Sequence, residues 1–350
     1  MYIIWLVCYY IPVFNLGIYY TAEQDFTDSN YYDYYALKFC HLPLDEIIVE
    51  SNITWQSVFV ITFYSLIYKF FGSTLLNPII INLILLYLSF YILKVAQIKK
   101  RYMIMICLLI PFMAVNLVVP GKDVIMIFLM SIYLSTFLNN YSKRKKLILK
   151  SLALVVGFYN RPNTLPIFLI LEMVNFNNLS IKVKKFFYVI FVLSMYFIPM
   201  YIEGIMEGLG FENLIEKQRD GFAMSETLMN ILLPTNGLLY LLVTPLRAFV
   251  YLIAPFPLLS NVLAYDQNNM FSFWFILFKF IDGFAWLLFM FYFFKKKYKY
   301  NPTINVLILL SVFISTVYLV QGGRYRVFCD LIMITYFSYQ SIYSVTHNKN

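Results

Sequence analysis

Apolar runs of about 17 to 24 residues recur along the whole chain, and each is about long enough to cross ~30 Å of hydrocarbon. Two kinds of polar break separate them. Basic breaks hold Lys99-Lys100-Arg101, Lys143-Arg144-Lys145-Lys146, Lys182 with Lys184-Lys185, and Lys295-Lys296-Lys297. Acidic breaks are longer. Residues 21–54 carry Glu23, Asp25, Asp28, Asp33, Asp45, Glu46 and Glu50 against Lys38, and residues 203–230 carry Glu203, Glu207, Glu212, Glu216, Asp220 and Glu226. Basic loops of a bacterial-type membrane protein stay in the cytoplasm, which assigns the acidic loops to the outside.

With that rule the chain threads consistently. A first span over residues 2–20 leads to the outer loop 21–54. The next run, 55–71, is expected to lie along the outer interface, anchored by Trp55, Tyr64, Tyr68 and Phe71, because a crossing there would carry Lys99–Arg101 outside; a true second span is the alternative. Residues 21–73 are then wholly extracytoplasmic. Span 75–94 goes in, 102–119 goes out and 124–140 returns to Lys143–Lys146. Residues 147–176 are interrupted by Asn160-Arg161-Pro162-Asn163, giving two short crossings or a re-entrant pair that meets at the outer side. Span 186–202 leads to the outer loop 203–230, and 231–259 starts and ends outside. Spans 271–294, 303–321 and 327–345 complete about ten to twelve crossings, with both termini cytoplasmic. The predicted fold class is all-α: one polytopic transmembrane helical bundle over residues 1–350.

Composition supports this reading. Hydrophobic residues make up 61% and charged residues 13%, where a soluble domain carries roughly a quarter charged. The net charge of +9 would suit nucleic acid, but its place in short loops between spans argues against that partner. Four cysteines lack metal-ligand spacing, and His41 and His347 are the chain's only histidines, so a His-based metal centre is not expected. Heavy use of Phe, Tyr, Ile, Asn and Lys points to an AT-rich bacterial gene and hence to the inner (cytoplasmic) membrane.

The topology gathers the polar chemistry on one face. Asp25, Asp28 and Asp33 lie in the first outer loop, Lys122-Asp123 opens a span from outside, and Arg161, Arg219, Arg247, Arg324 and Arg326 fall at or near the outer interface. Arginine offers bidentate, permanently charged donors to phosphate, and a carboxylate can take a proton from a sugar hydroxyl. Arg161 interrupts apolar sequence, where a charge costs roughly 2.5–3.5 kcal/mol on insertion scales. The bland alternatives are a solvated acidic loop and a helix cap at Lys122-Asp123. Lys279 and Asp282, three residues apart in one span, would neutralise each other.

Several of these segments, in order, resemble a known class. A first span followed by Asp28-Ser29-x-x-Tyr32-x-x-x-Ala36, a helix ending Lys69-Phe-Phe-Gly72, and Asn77 to Asn82 opening a span look like the GT-C integral membrane glycosyltransferases. Lys122-Asp123, Asn160-Arg161-Pro162, Pro255-Phe-Pro257 and Gly323-Arg324-Tyr-Arg326 resemble elements of the related Wzy-type O-antigen repeat-unit polymerases of lipopolysaccharide and capsule assembly. The resemblance implies an extracytoplasmic reaction on a polyprenyl-phosphate- or polyprenyl-diphosphate-linked saccharide, with a carboxylate of the first outer loop as base. Carried over, Asp28 is the first candidate, Asp25 the second, and Asp123 a supporting acid. Arg161, Arg324, Arg326, Lys122 and Arg247 would hold phosphate. No cofactor is firmly implied, and a divalent cation is compatible with the diphosphate. Other polysaccharide-assembly membrane proteins are candidate partners. The chain departs from the GT-C pattern in lacking paired acids in the first loop and a C-terminal periplasmic domain.

The competing reading is a non-enzymatic lipid-linked oligosaccharide flippase, whose charges would line a cavity open to both faces. Polar residues skewed outward favour the enzyme. Three expectations follow: residues 55–71 form an interfacial helix, Arg161 meets Arg324 and Arg326 in one cavity, and replacing Asp33, which on one helix would face about 140° away from Asp28, has only a mild effect.

Overall fold

The computed structural model describes residues 28–50, 57–74, 76–93, 120–161, 164–175, 230–234, 237–253, 281, 283–291, 310–311 and 328–336, with isolated positions at 183, 186, 189 and 190. Among them the fold is all-α, without a strand. The chain divides into two compact units, one of Met1–Phe168, Asn268–Phe271 and Ile334–Asn350, the other of Leu169–Gln267 and Ser272–Met333.

In the first unit, the polar first loop is itself helical. It forms α1 (Asp28–Phe39) and α2 (Leu44–Glu50). Helix α3 (Val58–Phe71) turns Val60, Ile61, Tyr64, Ser65, Ile67 and Tyr68 inward, the spacing of one helical face, and α1 and α2 pack on it. It stops at Gly72, whose φ of 96° is left-handed territory that a side chain disfavours. The corner that follows is tied by the Asn77 side-chain amide. Asn77 Nδ2 donates to Phe71 O at 2.7 Å and to Gly72 O at 2.8 Å, satisfying carbonyls that the helix end orphans.

Beyond the corner, α4 (Leu76–Ile92) leaves at 115° to α3. Pro78 sits in its first turn, where the missing N–H costs nothing. Helix α5 (Lys122–Leu138) is the core of the unit, buried along almost its entire length, with α4 and α6 (Lys143–Asn160) packed against it. Its hydroxyls turn back on its own carbonyls: Ser131 to Ile127 at 2.7 Å, Ser135 to Ile132 at 2.6 Å and Thr136 to Tyr133 at 2.7 Å. A short connection joins α5 to α6, and Asn160 at the end of α6 reaches Lys122 at the start of α5, so the two run antiparallel. Ser142 caps α6 by accepting from the Lys145 N–H at 3.3 Å, which places Lys143–Lys146 inside the helix rather than in a loop. Arg161, in extended conformation, ends α6, and α7 (Thr164–Asn175) follows, so the helix is interrupted at Arg161.

Among the described residues no single helix is long and apolar enough to cross a membrane; α3 and α4 pass that test only together, as the bent pair. The expected spans 2–20 and 102–119 lie outside the described residues, as do most of 186–202, 271–294, 303–321 and 327–345.

The second unit contains α8 (Gly237–Leu242) and α9 (Thr244–Ile253), packed together. In a helical segment at 283–291, Gly283 lies against the end of α9; a Cβ there would come within 2.2 Å of the Ile253 carbonyl oxygen. Within the same unit the Trp286 indole donates to Asp330 at 2.7 Å, both side chains fully buried.

Candidate functional site

The start of α5 and the end of α6 meet in a polar cluster. Gly121, in extended conformation, precedes α5 and brings no side chain to cap it. Tyr64 of α3 ties this point down: its hydroxyl accepts from the Gly121 N–H at 3.2 Å and donates to Asn82 Oδ1 of α4 at 2.8 Å. Asn160 Nδ2 donates to the Lys122 carbonyl at 3.0 Å. Three helices thus fix the backbone that presents Lys122 and Asp123.

The charged groups occupy the same corner. Asp123 and Arg161 pair at 3.1 Å, with side chains 10% and 12% exposed. The buried Lys122 ammonium lies 5.2 Å from the centre of the Tyr32 ring, within cation–π range. Asp33, the next residue on α1, accepts from the Tyr68 hydroxyl. Burial pushes the Asp33 carboxyl above its ordinary range, against the smaller opposing pull of the Tyr68 hydroxyl. Two acids and two bases therefore gather around Tyr64 and Tyr68. Asn160 Oδ1 is buried here without a donor, an acceptor that a bound hydroxyl could satisfy.

The structure brings three of the sequence candidates together: Lys122, Asp123 and Arg161. Asp28 opens α1. Asp25, Arg324 and Arg326 lie outside the described residues, so the expected meeting of three arginines does too. Arg247 is fully buried in the second unit. Its guanidinium donates to the Leu232 and Tyr240 carbonyls at 3.1 and 3.3 Å and to Thr244 Oγ1 at 2.9 Å, and stacks 3.7 Å from the Tyr240 ring centre. Those donors are committed to the end of α8 and the start of α9.

Sequence reasoning set Asp33 aside, whereas the structure seats it beside the cluster. Its partner Tyr68 is 35 positions away, so no local pattern announces the contact. The signal that was available is periodicity: Tyr32 and Ala36 lie buried on α1, and Asp33 belongs to the same inward side. Among the described residues no group of three or more His, Cys, Asp or Glu side chains is placed to hold a metal ion. The chain matches no protein-family model, no curated protein and no solved structure.

Proposed function

We propose that this chain is a polytopic inner-membrane glycosyltransferase of surface-polysaccharide assembly, acting on polyprenyl-phosphate- or diphosphate-linked sugars at the extracytoplasmic end of α5 and α6. A repeat-unit polymerase is the form favoured by the sequence resemblance. The observation that carries the chemistry is the cluster of Asp33, Lys122, Asp123 and Arg161 at one end of an antiparallel helix pair. The opposite end bears Lys143–Lys146, about 27 Å away for an 18-residue helix, close to the hydrocarbon thickness. Basic residues at that end support an inside assignment for it and an outside one for the cluster.

The outer surfaces agree. Ile80, Ile84, Tyr87 and Tyr91 on α4, and Ile148, Leu152, Val155 and Tyr159 on α6, are 46–69% exposed. Both stripes repeat at i, i+4, i+7, i+11, one side of a helix. Large apolar stripes left facing outward around a buried α5 are unfavourable in water and suit lipid. The 115° corner supports an α3 that lies in the interface while α4 descends.

In the proposed reaction, the acceptor hydroxyl attacks the anomeric carbon while the bond to the lipid-linked phosphate breaks. A carboxylate takes the hydroxyl proton, and the leaving phosphate carries away the electron pair. Lys122 and Arg161 offset its charge, since such groups act strongly where water is scarce. Asp33 is the carboxylate we favour as base: burial raises its pKa, which makes it a better proton acceptor, and its neighbour Tyr32 meets the Lys122 ammonium. Asp28 and Asp25 remain rivals on the sequence reading.

The test replaces Asp25, Asp28, Asp33 and Asp123 singly by Asn in cells and reads surface polysaccharide on gels beside protein level. Asp33→Asn is expected to abolish transfer at normal abundance. Loss confined to Asp28→Asn or Asp25→Asn would return the role to the sequence candidate. Normal polymer from all four would remove the enzyme reading and leave the flippase.

A further inference from the structure

The basic end of α6 is not explained by the fold. Lys143, Arg144, Lys145 and Lys146 fill its first turn, where the helix dipole is positive and cations are disfavoured. Like charges within one turn add mutual repulsion. Among the described residues no carboxylate lies within salt-bridge reach of the four, and Lys143, Arg144 and Lys145 are exposed. Among the described residues, the one ring contact of these cations is Lys145 over the Tyr141 ring, 4.3 Å from its centre. Lys150, one turn on, behaves differently: it folds inward over Tyr133 and Phe137 at 5.6 and 4.4 Å.

Directly after the basic turn begins the exposed apolar stripe, with Leu147 67%, Ile148 57%, Leu152 47% and Val155 51% exposed. Fixed positive charge and a long apolar face thus adjoin on one helix. An anionic phospholipid leaflet matches both, with headgroups at the first turn and acyl chains along the stripe. A second copy of this chain would match the stripe alone, because it would set four cations against four more.

We propose that the N-terminal turn and outer stripe of α6 form a docking surface for anionic phospholipid. It binds headgroup phosphate through Lys143–Lys146 and holds the α5–α6 pair at a fixed depth. The inference rests on the membrane part of the reading above and is independent of the glycosyl-transfer chemistry. Four surface cations near an anionic leaflet would concentrate anionic over zwitterionic lipid by on the order of 10²–10³-fold.

The test reconstitutes the full chain in nanodiscs of phosphatidylcholine, alone or mixed with phosphatidylglycerol. It measures the thermal midpoint and the lipids retained in native mass spectra. Wild type is expected to melt higher in the mixed discs and to retain phosphatidylglycerol. The K143Q/R144Q/K145Q/K146Q variant should lose both effects while still incorporating. Should that variant fail to express, molar salt added to wild type replaces it and should erase most of the stabilisation. Equal midpoints in the two lipids, an undiminished gain in the variant, or a salt-insensitive gain would overturn the proposal. Failure of wild type to enter discs at all would instead overturn the membrane reading. A lipid-independent dimer protecting the stripe would hand the surface to a second copy.

Discussion

Replacing Asp123 by Asn tests whether the pair with Arg161 supports the fold, the chemistry or both. The side chains meet at 3.1 Å and are about nine-tenths buried. Removing one charge leaves the other poorly solvated, and breaking such a pair costs 3–5 kcal/mol in well-buried cases. The residual exposure of about a tenth admits some water, so about 3 kcal/mol is expected here. Arg161→Gln should cost a similar amount. The double variant D123N/R161Q removes both charges together, and should recover about 2 kcal/mol relative to the sum of the singles. Thermal or denaturant unfolding in lipid discs reads the cycle, and polysaccharide synthesis by the same variants reads the chemistry. If Arg161 also holds phosphate, the double variant will be folded yet inactive. Additive single losses, with no coupling, would refute the account of the pair. A fully active double variant would refute the phosphate role and leave Arg161 as a strut.

Asp33→Asn should raise stability at neutral pH. The carboxyl is pushed up by burial, so its contribution is full below the ordinary aspartate value of 3.8 and is lost as pH rises through the higher folded value. Unfolding midpoints across pH 3–8, roughly the carboxylate range and above, should fall with rising pH in wild type and less steeply in the variant; parallel profiles would count against it. Tyr64→Phe keeps the ring but strips the Gly121 N–H of its buried acceptor, with an expected loss of about 1–3 kcal/mol; a change under about 0.5 kcal/mol would mean that water replaces the hydroxyl. Gly283→Ala would set a methyl group 2.2 Å from the Ile253 carbonyl oxygen, so the packed backbones must separate at a cost of about 1–3 kcal/mol; unchanged unfolding would contradict that close approach.

The sequence read the helical segments well where long apolar runs gave them away. Expected 75–94 became Leu76–Ile92, and expected 124–140 became Lys122–Leu138. The break at 160–163 was legible because Arg161 and Pro162 interrupt apolar sequence. Lys143–Lys146 were read as loop because charge outweighed the cap signal of Ser142, whose hydroxyl accepts from Lys145 N–H and starts the helix. The first outer loop was recognised as polar, but apart from the shared turn weighed for Asp28 and Asp33 its helices were not delimited, since α1 carries no strong apolar stripe. Part of the site showed through: Lys122-Asp123 and Arg161 each stood out as charges beside apolar runs. Their partners did not, because the ties of Tyr64 to Gly121 and of Tyr68 to Asp33 join positions 57 and 35 apart. Such contacts are set by packing, which a linear pattern does not encode.

The hydroxyls of α5 have a consequence for the alignment of the whole helix. Ser131, Ser135 and Thr136 spend their hydrogen bonds within α5, so along most of its length it meets its neighbours through apolar contacts that have little directionality. Direction enters at one end, where Gly121 and the Lys122 carbonyl engage Tyr64 and Asn160. The helix is therefore pinned like a pencil held by its tip. A slip of one residue would move it about 1.5 Å and turn it about 100°, swinging Lys122 and Asp123 off their partners while the apolar shaft resisted only through shape. The same few bonds that present the charged groups also set the register of the core, so a substitution that loosens one loosens the other.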